Sequence, residues 1–295
     1  MDLLYESVYG HQRSQGFFSD KYNTAYTGAK YIGYLAYDPK HQPIAFYGVI
    51  PTLVWYNGKT ILAAQSADTM THPGYRNMGL FTDLANLTYA LCKQVGIRFV
   101  FGFPNQNSLP GFVNKLDWQI TETLHLFKIP VKGSIPLEQI ALKFSPFKAV
   151  YNHYINWVLK GNLTIQKGVR NSVFGGDYNG IFRDDEYLKY KSYSPTRVIE
   201  IDGTLFWIKL QNGLQIGDIE NIGDNFENVI NKLKALARKL GLTQIQFQTS
   251  PQIRLDKLFA AHYQPIDSFK TGFKIIDDDI NIETIKFTLA DIDIF

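Results

Sequence analysis

Alternating hydrophobic and polar residues predict a series of β-strands in the first quarter of the chain. The runs cover residues 31–37, 43–50, 52–56 and 61–71. Asn57 and Gly58 precede the last of these runs, and this dipeptide supplies the two positive φ angles that a type I′ hairpin turn needs. The pattern therefore predicts an antiparallel meander that leads into a strand ending at Thr71.

A helix and a further strand are predicted directly after this meander. Pro73 and Gly74 indicate a turn, and leucines then recur at helical spacing from residue 80 to residue 91. Gly96 suits the position that follows a helix, and the apolar run at 97–103 is typical of an interior strand. The predicted order is strand, turn, helix and strand.

The loop that joins the first strand to the helix contains Arg76 and Gly79. Where a strand passes into a helix through a loop containing glycine, unpaired backbone N–H groups and the positive end of the helix dipole face one point. Such a point binds phosphate groups. The sequence therefore predicts a phosphate-bearing cofactor at residues 76–81.

The second half of the chain repeats this order of elements about 150 residues later. The predicted elements are strands at 205–210 and 214–219, a helix at 226–240 and a strand at 243–249. In this copy, residues 220–225 contain two carboxylates and no arginine, and these charges would repel a phosphate. The length suits two domains, which we place at 1–140 and 141–295, and only the first is expected to hold the cofactor.

Composition excludes several classes of protein. A hydrophobic content of 45% with 19% charged residues is typical of a folded chain. The formal net charge is +3 with scattered basic residues, which does not favour nucleic-acid binding, and no run approaches the roughly 18 apolar residues of a membrane span. The single Cys92 is expected to be a small buried residue, and the Asp277–Asp279 run is expected to be a solvated turn, so no metal is predicted. A cytoplasmic location is expected.

Residues 69–81, with the helix, Gly96, the next strand and the KLDW sequence at 115–118, resemble the GNAT superfamily of acyl-CoA-dependent N-acetyltransferases. Its pyrophosphate loop has Arg or Gln, two residues, Gly, one residue, and Gly or Ala. Arg76 and Gly79 match this form, and Phe81 departs from it. The resemblance covers about residues 30–130 and implies an α/β fold of two tandem GNAT-like domains, with mixed, mainly antiparallel sheets flanked by helices.

The resemblance also implies acetyl-CoA as the co-substrate. Its pyrophosphate would lie on the backbone N–H groups of Arg76, Asn77, Met78, Gly79, Leu80 and Phe81. Its pantetheine arm would pass Met70 and Thr71 and be held by Asn107. The tyrosine that family members use as a general acid would stand at Val113, so this acid is absent.

Transfer of an acetyl group to an amine needs a route for one proton to leave and hydrogen bonds to the developing oxyanion. Asp68 is the first candidate to receive the proton, and its alternative role is structural, as the cap of a local turn or in an ion pair with a base. His72 is a second candidate and also a natural turn residue before Pro73. Gln65 and Ser66 are candidates for orienting a polar substrate.

The acceptor is predicted to be a small-molecule amine. The sequence is similar to GNAT-like proteins encoded among bacterial surface-polysaccharide enzymes, which favours an amino sugar or a nucleotide sugar. Two alternatives stay open. One is a relative of the peptidoglycan aminoacyl-transferases of the Fem group, and the other is a non-catalytic acyl-CoA sensor.

Overall fold

The computed structural model describes residues 1–174, 177–277 and 279–295. The chain forms two compact units, each built from three separate segments. Unit 1 comprises Met1–Thr123, Asn179–Tyr193 and Phe269–Ile285, and unit 2 comprises Leu124–Tyr178, Ser194–Ser268 and Lys286–Phe295. The sequence prediction placed one boundary, after residue 140. The segments interleave because strands pair with partners that are far away in the sequence.

The helices and strands are numbered in chain order. The α-helices are α1 (Asp2–Tyr9), α2 (Phe17–Lys21), α3 (Leu80–Gln94), α4 (Leu109–Leu116), α5 (Leu137–Lys143), α6 (Ser145–Leu159), α7 (Asp185–Tyr190), α8 (Phe226–Lys239) and α9 (Arg254–Ala260). The strands are β1 (Ile32–Tyr37), β2 (Pro43–Tyr56), β3 (Lys59–Thr71), β4 (Phe99–Gly102), β5 (Gln119–Pro130), β6 (Gly180–Ile181), β7 (Thr196–Ile201), β8 (Thr204–Leu210), β9 (Leu214–Glu220), β10 (Gln244–Thr249) and β11 (Ile266–Ile275).

Unit 1 contains a mixed sheet with the strand order β1-β2-β3-β4-β11. The pairs β1–β2, β2–β3 and β4–β11 are antiparallel, and β3–β4 is parallel. Helix α3 makes the crossover between the two parallel strands, because a parallel pair cannot be joined by a hairpin. The short strand β6 pairs with β2.

Unit 2 repeats this pairing pattern in the order β7-β8-β9-β10-β5. Again two antiparallel pairs lead to one parallel pair, β9–β10, and a final antiparallel pair, β10–β5. Helix α8 connects the parallel strands. The predicted α/β class, with mixed sheets flanked by helices, is confirmed, and so is the repeated order of elements.

The hairpin between β2 and β3 forms as the sequence predicts. Asn57 and Gly58 have φ angles of 47° and 83°, as a type I′ turn requires. The prediction of two strands at 43–50 and 52–56 is wrong, because β2 continues through Pro51. Strand β1 pairs with β2 only as far as Val49, so Pro51 lies where a missing N–H is tolerated at a sheet edge.

The two faces of β2 carry two different cores in unit 1. Ala45, Tyr47 and Val49 belong to a cluster with residues of α3 and α4 and with Trp118. Phe46 and Ile50 belong to a second cluster with residues of α1 and α2. This separation follows from the alternation of side chains along a strand, and it places α3 and α1–α2 on opposite faces of the sheet.

Cys92 lies fully buried on α3, as the sequence predicts. Burial raises the pKa of its thiol to about 12, so the thiolate is disfavoured at neutral pH. In unit 2, α8 buries Val229, Ile230 and Leu233 against the sheet. No helix within the described ranges is both long enough and apolar enough to cross a membrane.

We expect Gly58→Ala to lower the free energy of unfolding by about 1–2 kcal/mol, because alanine is strained at positive φ. Gly161→Ala is the matched control. An added Cβ meets nothing within 4 Å at either position, but only Gly58 has a positive φ, of +83°. Thermal or denaturant unfolding checks the difference. Equal stability of the two variants would contradict the turn geometry.

Candidate active site

Strand β3 contains a bulge at Asp68. Ala67 pairs with Gly48 and Met70 pairs with Phe46, so β3 has one residue more than β2 between these pairs. The extra residue is accommodated by Asp68, whose φ angle is 50°. A bulge of this kind bends its strand, so it changes the direction of β3 after Asp68.

The described pairing of β3 with β4 ends before the bulge. It consists of Ala64 with Val100 and Gln65 with Phe101, although β3 continues to Thr71. Strand β4 still pairs with β11 at Gly102. From Ser66 to Thr71, β3 keeps its pairing with β2, and no described strand pairs with its other side.

The segment from Arg76 to Phe81 leads from this strand end into α3. Asn77 and Gly79 have φ angles of 65° and 81°, and Gly79 is the N-cap residue of α3. Residues in the left-handed region aim successive N–H groups toward one point. The carbonyl of Gly79 accepts from the N–H groups of Thr82 and Asp83, at 2.9 and 3.1 Å.

The N–H groups at the start of α3 are available to a ligand. Neither Leu80 nor Phe81 donates its N–H to an acceptor within the described part of the chain, and no side chain caps the helix. Arg76 is exposed, and none of its described neighbours forms an ion pair with it. These features fit a pyrophosphate, which needs N–H donors and a positive charge.

Phe81 explains the departure from the family's loop. Its ring lies 5.9 Å from that of Tyr47 and 5.3 Å from that of Phe112. An added Cβ at Gly111 would lie 3.1 Å from the same ring. The side chain is therefore a core contact between α3 and α4, and only its backbone N–H is free to serve a phosphate.

Asp68 forms an ion pair with Lys21 of α2. The Lys21 Nζ atom lies 2.6 Å from Asp68 Oδ2, and the two side chains are 3% and 13% exposed. The Tyr22 hydroxyl donates to the same oxygen at 3.2 Å. The pairing with a base, one of the two roles considered for Asp68, is therefore present. Its role as a proton acceptor stays a prediction.

Lys21 and Tyr22 were not identified by the sequence analysis. Their hydrogen bonds span 47 and 46 residues, and the first 30 residues show only weak periodicity. The one available signal was the position of a lysine between Phe18 and Tyr22, which marks it as part of a partly buried helix.

Ser66 lies in a chain of buried hydroxyl groups. Its Oγ donates to the hydroxyl of Tyr47 at 3.2 Å, and the hydroxyls of Tyr47 and Tyr89 lie 2.6 Å apart. Trp118 Nε1 donates to the Tyr89 hydroxyl at 2.8 Å. Burial raises the pKa of both tyrosines, so both keep their protons at neutral pH. These contacts orient the Ser66 hydroxyl without a substrate, and its substrate-binding role stays a prediction.

The other predicted residues occupy different environments. The side chains of Gln65 and Met70 are buried, Thr71 is partly exposed at the end of β3, and Asn107 is exposed just before α4. The backbone N–H of Asn107 donates to Asn105 Oδ1 at 2.9 Å. The structure thus brings the 76–81 loop and the end of β3 together in one strand–turn–helix unit.

His72 is a turn residue. Its Nδ1 atom accepts from the N–H of Gly74 at 3.1 Å, and it caps the short 3₁₀ turn Pro73–Tyr75. The side chain of Val113, at the position of the family's tyrosine, is apolar and partly exposed on α4. His72 is therefore used in a turn, and Val113 has no proton to donate, so neither residue replaces the general acid.

A cavity of about 300 Å³ lies in unit 1. Its lining includes the aromatic residues Phe18, Tyr22, Tyr31 and Phe46, together with Asp2. Tyr22 connects the cavity to Asp68 through its hydroxyl. The cavity lies on the α1–α2 face of the sheet, the face opposite to α3.

Unit 2 has a corresponding bulge in β9. Asp218 pairs with Trp207 and Ile216 pairs with Ile208, so Gly217 is the extra residue. The parallel pairing of β9 and β10 covers Leu214–Ile216 and Ile245–Phe247. The strands therefore have the same arrangement as β3 and β4.

In unit 2 the segment 286–295 packs where β9 and β10 separate. The N–H of Ser250 donates to the carbonyl of Phe287 at 2.8 Å, and Thr288 forms a bridge with Thr249 at the end of β10. The ring of Phe295 covers Gly217, where an added Cβ would lie 2.2 Å from it. In unit 2 the segment 286–295 therefore packs beside the end of the β9–β10 pair.

Metal ligation is not a feature of the described residues. They contain no group of three or more His, Cys, Asp or Glu side chains that could hold a metal ion. In the predicted acidic turn, Asp277 and Asp279 pair with the guanidinium of Arg98. Asp278 lies outside the described residues.

The comparisons with known proteins agree with this geometry. Residues 3–121 match the model of the acetyltransferase (GNAT) domain family, which confirms the resemblance for these residues, the first segment of unit 1. No curated protein matches the sequence.

Solved structures share the fold over most of the chain. A conserved protein of Enterococcus faecalis V583, named as a probable N-acyltransferase, has 11% identity and a TM-score of 0.57 over 93% of this chain and 69% of its own. A GCN5-related N-acetyltransferase of Anabaena variabilis has 12% identity and a TM-score of 0.56 over the same shares. A proposed acetyltransferase of Pyrococcus horikoshii has 11% identity and a TM-score of 0.53, over 98% of this chain and 88% of its own. At these identities, the likeness shows a common fold.

We expect Lys21→Met to lower the free energy of unfolding by about 3 kcal/mol, because it leaves the carboxylate of Asp68 without its buried partner. The double variant Lys21→Met with Asp68→Asn should recover part of this loss. Denaturant unfolding of the two single variants and the double variant measures the coupling. Additive effects would contradict the ion pair.

Proposed function

We propose that the chain is an N-acetyltransferase that moves an acetyl group from acetyl-CoA to a primary amine in unit 1. The observation that carries this proposal is that, within the described residues, the N–H groups of Leu80 and Phe81 have no acceptor and Arg76 has no ion-pair partner. The family match at residues 3–121 supports it.

The acetyl-CoA site is assigned to residues of one continuous stretch. The N–H groups of residues 76–81 and the guanidinium of Arg76 would hold the pyrophosphate. The end of β3, including Met70 and Thr71, would lie along the pantetheine arm with the side that does not pair with β2, and Asn107 would lie beside the arm. When bound, acetyl-CoA supplies the activated acetyl group as a thioester.

Asp68 would act on the acceptor amine. Most primary amines are protonated at neutral pH, and the attacking amine must be neutral. The ion pair with Lys21 favours the ionised form of Asp68, and an ionised carboxylate can accept a proton. The same carboxylate is the best-placed acceptor for the proton that the amine loses, directly or through water.

The acceptor pocket is assigned to the cavity beside Tyr22. Its aromatic wall of Phe18, Tyr22, Tyr31 and Phe46 offers ring faces, and its volume of about 300 Å³ suits one small molecule. Aromatic faces pack against the apolar face of a sugar ring and attract cations. These features support an amino sugar or a nucleotide sugar as the acceptor.

Unit 2 is proposed to be a second GNAT-like domain that binds no acetyl-CoA. Its strand order and bulge match those of unit 1, which supports a tandem arrangement. The segment 286–295 covers Gly217 and pairs with the end of β10, so no gap is left for a pantetheine arm. Asp224 also lies just before α8, where a carboxylate opposes phosphate binding.

A non-catalytic acyl-CoA sensor is the second candidate. Val113 stands where the family has its acid, and the Asp68 carboxylate is already paired with Lys21. Nothing among the described residues favours aminoacyl-tRNA over acetyl-CoA as the donor. A thiol-release assay with acetyl-CoA and a panel of amines separates enzyme from sensor. Turnover supports the enzyme, and tight coenzyme A binding without turnover supports the sensor.

Gly79→Asp should weaken acetyl-CoA binding by about a hundredfold, because it adds a carboxylate where the pyrophosphate needs N–H donors. Gly96→Asp is the matched control at the other end of α3. The two glycines have similar φ angles, +81° and +82°, so the backbone strain is the same. Calorimetric titration measures both affinities, and equal weakening would remove the assignment of the phosphate site.

Asp68→Asn should lower kcat by about a hundredfold while the KM for acetyl-CoA changes little, because the residue acts on the amine. Lys21→Met is a useful comparison, since it retains the carboxylate and removes only its partner. Steady-state kinetics at several pH values checks both variants. Full activity of Asp68→Asn would show that another group receives the proton.

A further inference from the structure

Helix α6 exposes two large apolar side chains, Val150 and Trp157, among the polar residues Asn152, His153 and Asn156. Its sequence, SPFKAVYNHYINWVL, contains Lys148 as its only lysine or other ionised side chain. Tyr151, Ile155 and Leu159 face the core of unit 2. Val150 and Trp157 are 63% and 73% exposed, and their separation of seven residues places them on one face of the helix.

Exposed apolar residues continue before and after α6. Ile135, Leu142 and Phe144 precede it, and Leu163 and Ile165 follow it. Ile165 is fully exposed, at 102%. We call the exposed residues of 132–167 the α6 surface. A concentration of large exposed apolar residues in one segment marks an interaction surface, whereas isolated ones do not.

The α6 surface is also basic. Its charged residues are Lys132, Lys143, Lys148, Lys160 and Lys167, all of them exposed. None of these lysines forms an ion pair with a carboxylate in the described part of the chain. The single acidic residue of the segment, Glu138, is turned inward, where its Oε2 accepts the N–H of Gly213 at 2.7 Å. The surface therefore presents positive charge without compensation.

We propose that the α6 surface binds a lipid bilayer that contains anionic headgroups. Apolar side chains of a surface helix enter the boundary between headgroups and acyl chains, and tryptophan prefers this depth. Lysines around them attract anionic lipids. The combination of Trp157, Val150 and Phe144 with five unpaired lysines has this composition.

Two other occupants fit less well. A contact with a second copy would bring a second set of the same lysines to the interface, and like charges repel. The core of a protein–protein interface is depleted in lysine. A bilayer surface can bind both kinds of residue, because the apolar side chains enter the boundary with the acyl chains and the lysines contact the anionic headgroups. The proposal concerns unit 2 alone and does not depend on the acetyltransferase activity.

Vesicle flotation tests this proposal with the full chain. The protein should float with vesicles of phosphatidylcholine mixed with phosphatidylglycerol and much less with phosphatidylcholine alone, and high salt should weaken the binding. Val150→Ser with Trp157→Ser should reduce binding by about tenfold. Leu87→Ser, at an exposed apolar position on α3, is the matched control and should bind as the parent protein does.

The charge component has its own pair of variants. Lys148→Gln with Lys160→Gln should reduce binding to the anionic vesicles, whereas Lys59→Gln with Lys93→Gln, at exposed positions elsewhere, should not. Thermal unfolding confirms that each variant is folded. The proposal is overturned if the parent protein does not bind anionic vesicles or if both pairs of variants behave alike. It is also overturned if the parent protein is a dimer that the Val150 and Trp157 variant dissociates.

Discussion

The left-handed backbone of Asp68 is the constraint on which the candidate site depends. This residue adds one position to β3 relative to β2, and the described pairing of β3 with β4 ends at Gln65, three residues before it. The end of β3 then leads into the loop at 76–81. Helix α3 starts at Leu80, directly after the left-handed Gly79. We propose that the N–H groups of its first turn bind the pyrophosphate. The side chain of Asp68 is mostly buried, and the ion pair with Lys21 compensates the negative charge of its carboxylate.

The repeated pairing pattern shows how one arrangement can support two outcomes. The parallel pair in unit 1 is β3–β4, and the parallel pair in unit 2 is β9–β10. In each pair a helix joins the two strands, and the first strand contains a bulge. In unit 1 the end of the pair is open to a ligand. In unit 2, Phe287 and Phe295 occupy that place through hydrogen bonding at Ser250 and packing on Gly217. The difference in binding that we propose therefore follows from the segment 286–295 as well as from the charges before α8.

Local signals predicted much of the fold, and long-range contacts account for what was missed. The Asn57-Gly58 turn and the helix after Gly79 were predictable because their causes lie within a few residues. The partner of Asp68 was not, because Lys21 is 47 residues away and nothing in its neighbourhood indicates an ion pair. The contact of Ser66 with Tyr47, and the pairing of β4 with β11, likewise depend on how distant strands meet. For the same reason, the sequence did not predict the α6 surface, because the exposure of its side chains depends on the tertiary fold.

Backbone amide NMR during a titration with coenzyme A tests the central claim most directly, because it reports on the N–H groups themselves. The account predicts that the largest shifts occur at Gly79, Leu80 and Phe81, followed by the end of β3 at residues 66–71. The corresponding amides at the start of α8, residues 225–227, should stay unchanged. Shifts concentrated at the start of α8, or no shift at residues 79–81 with saturating coenzyme A, would contradict the assignment of the phosphate site to unit 1.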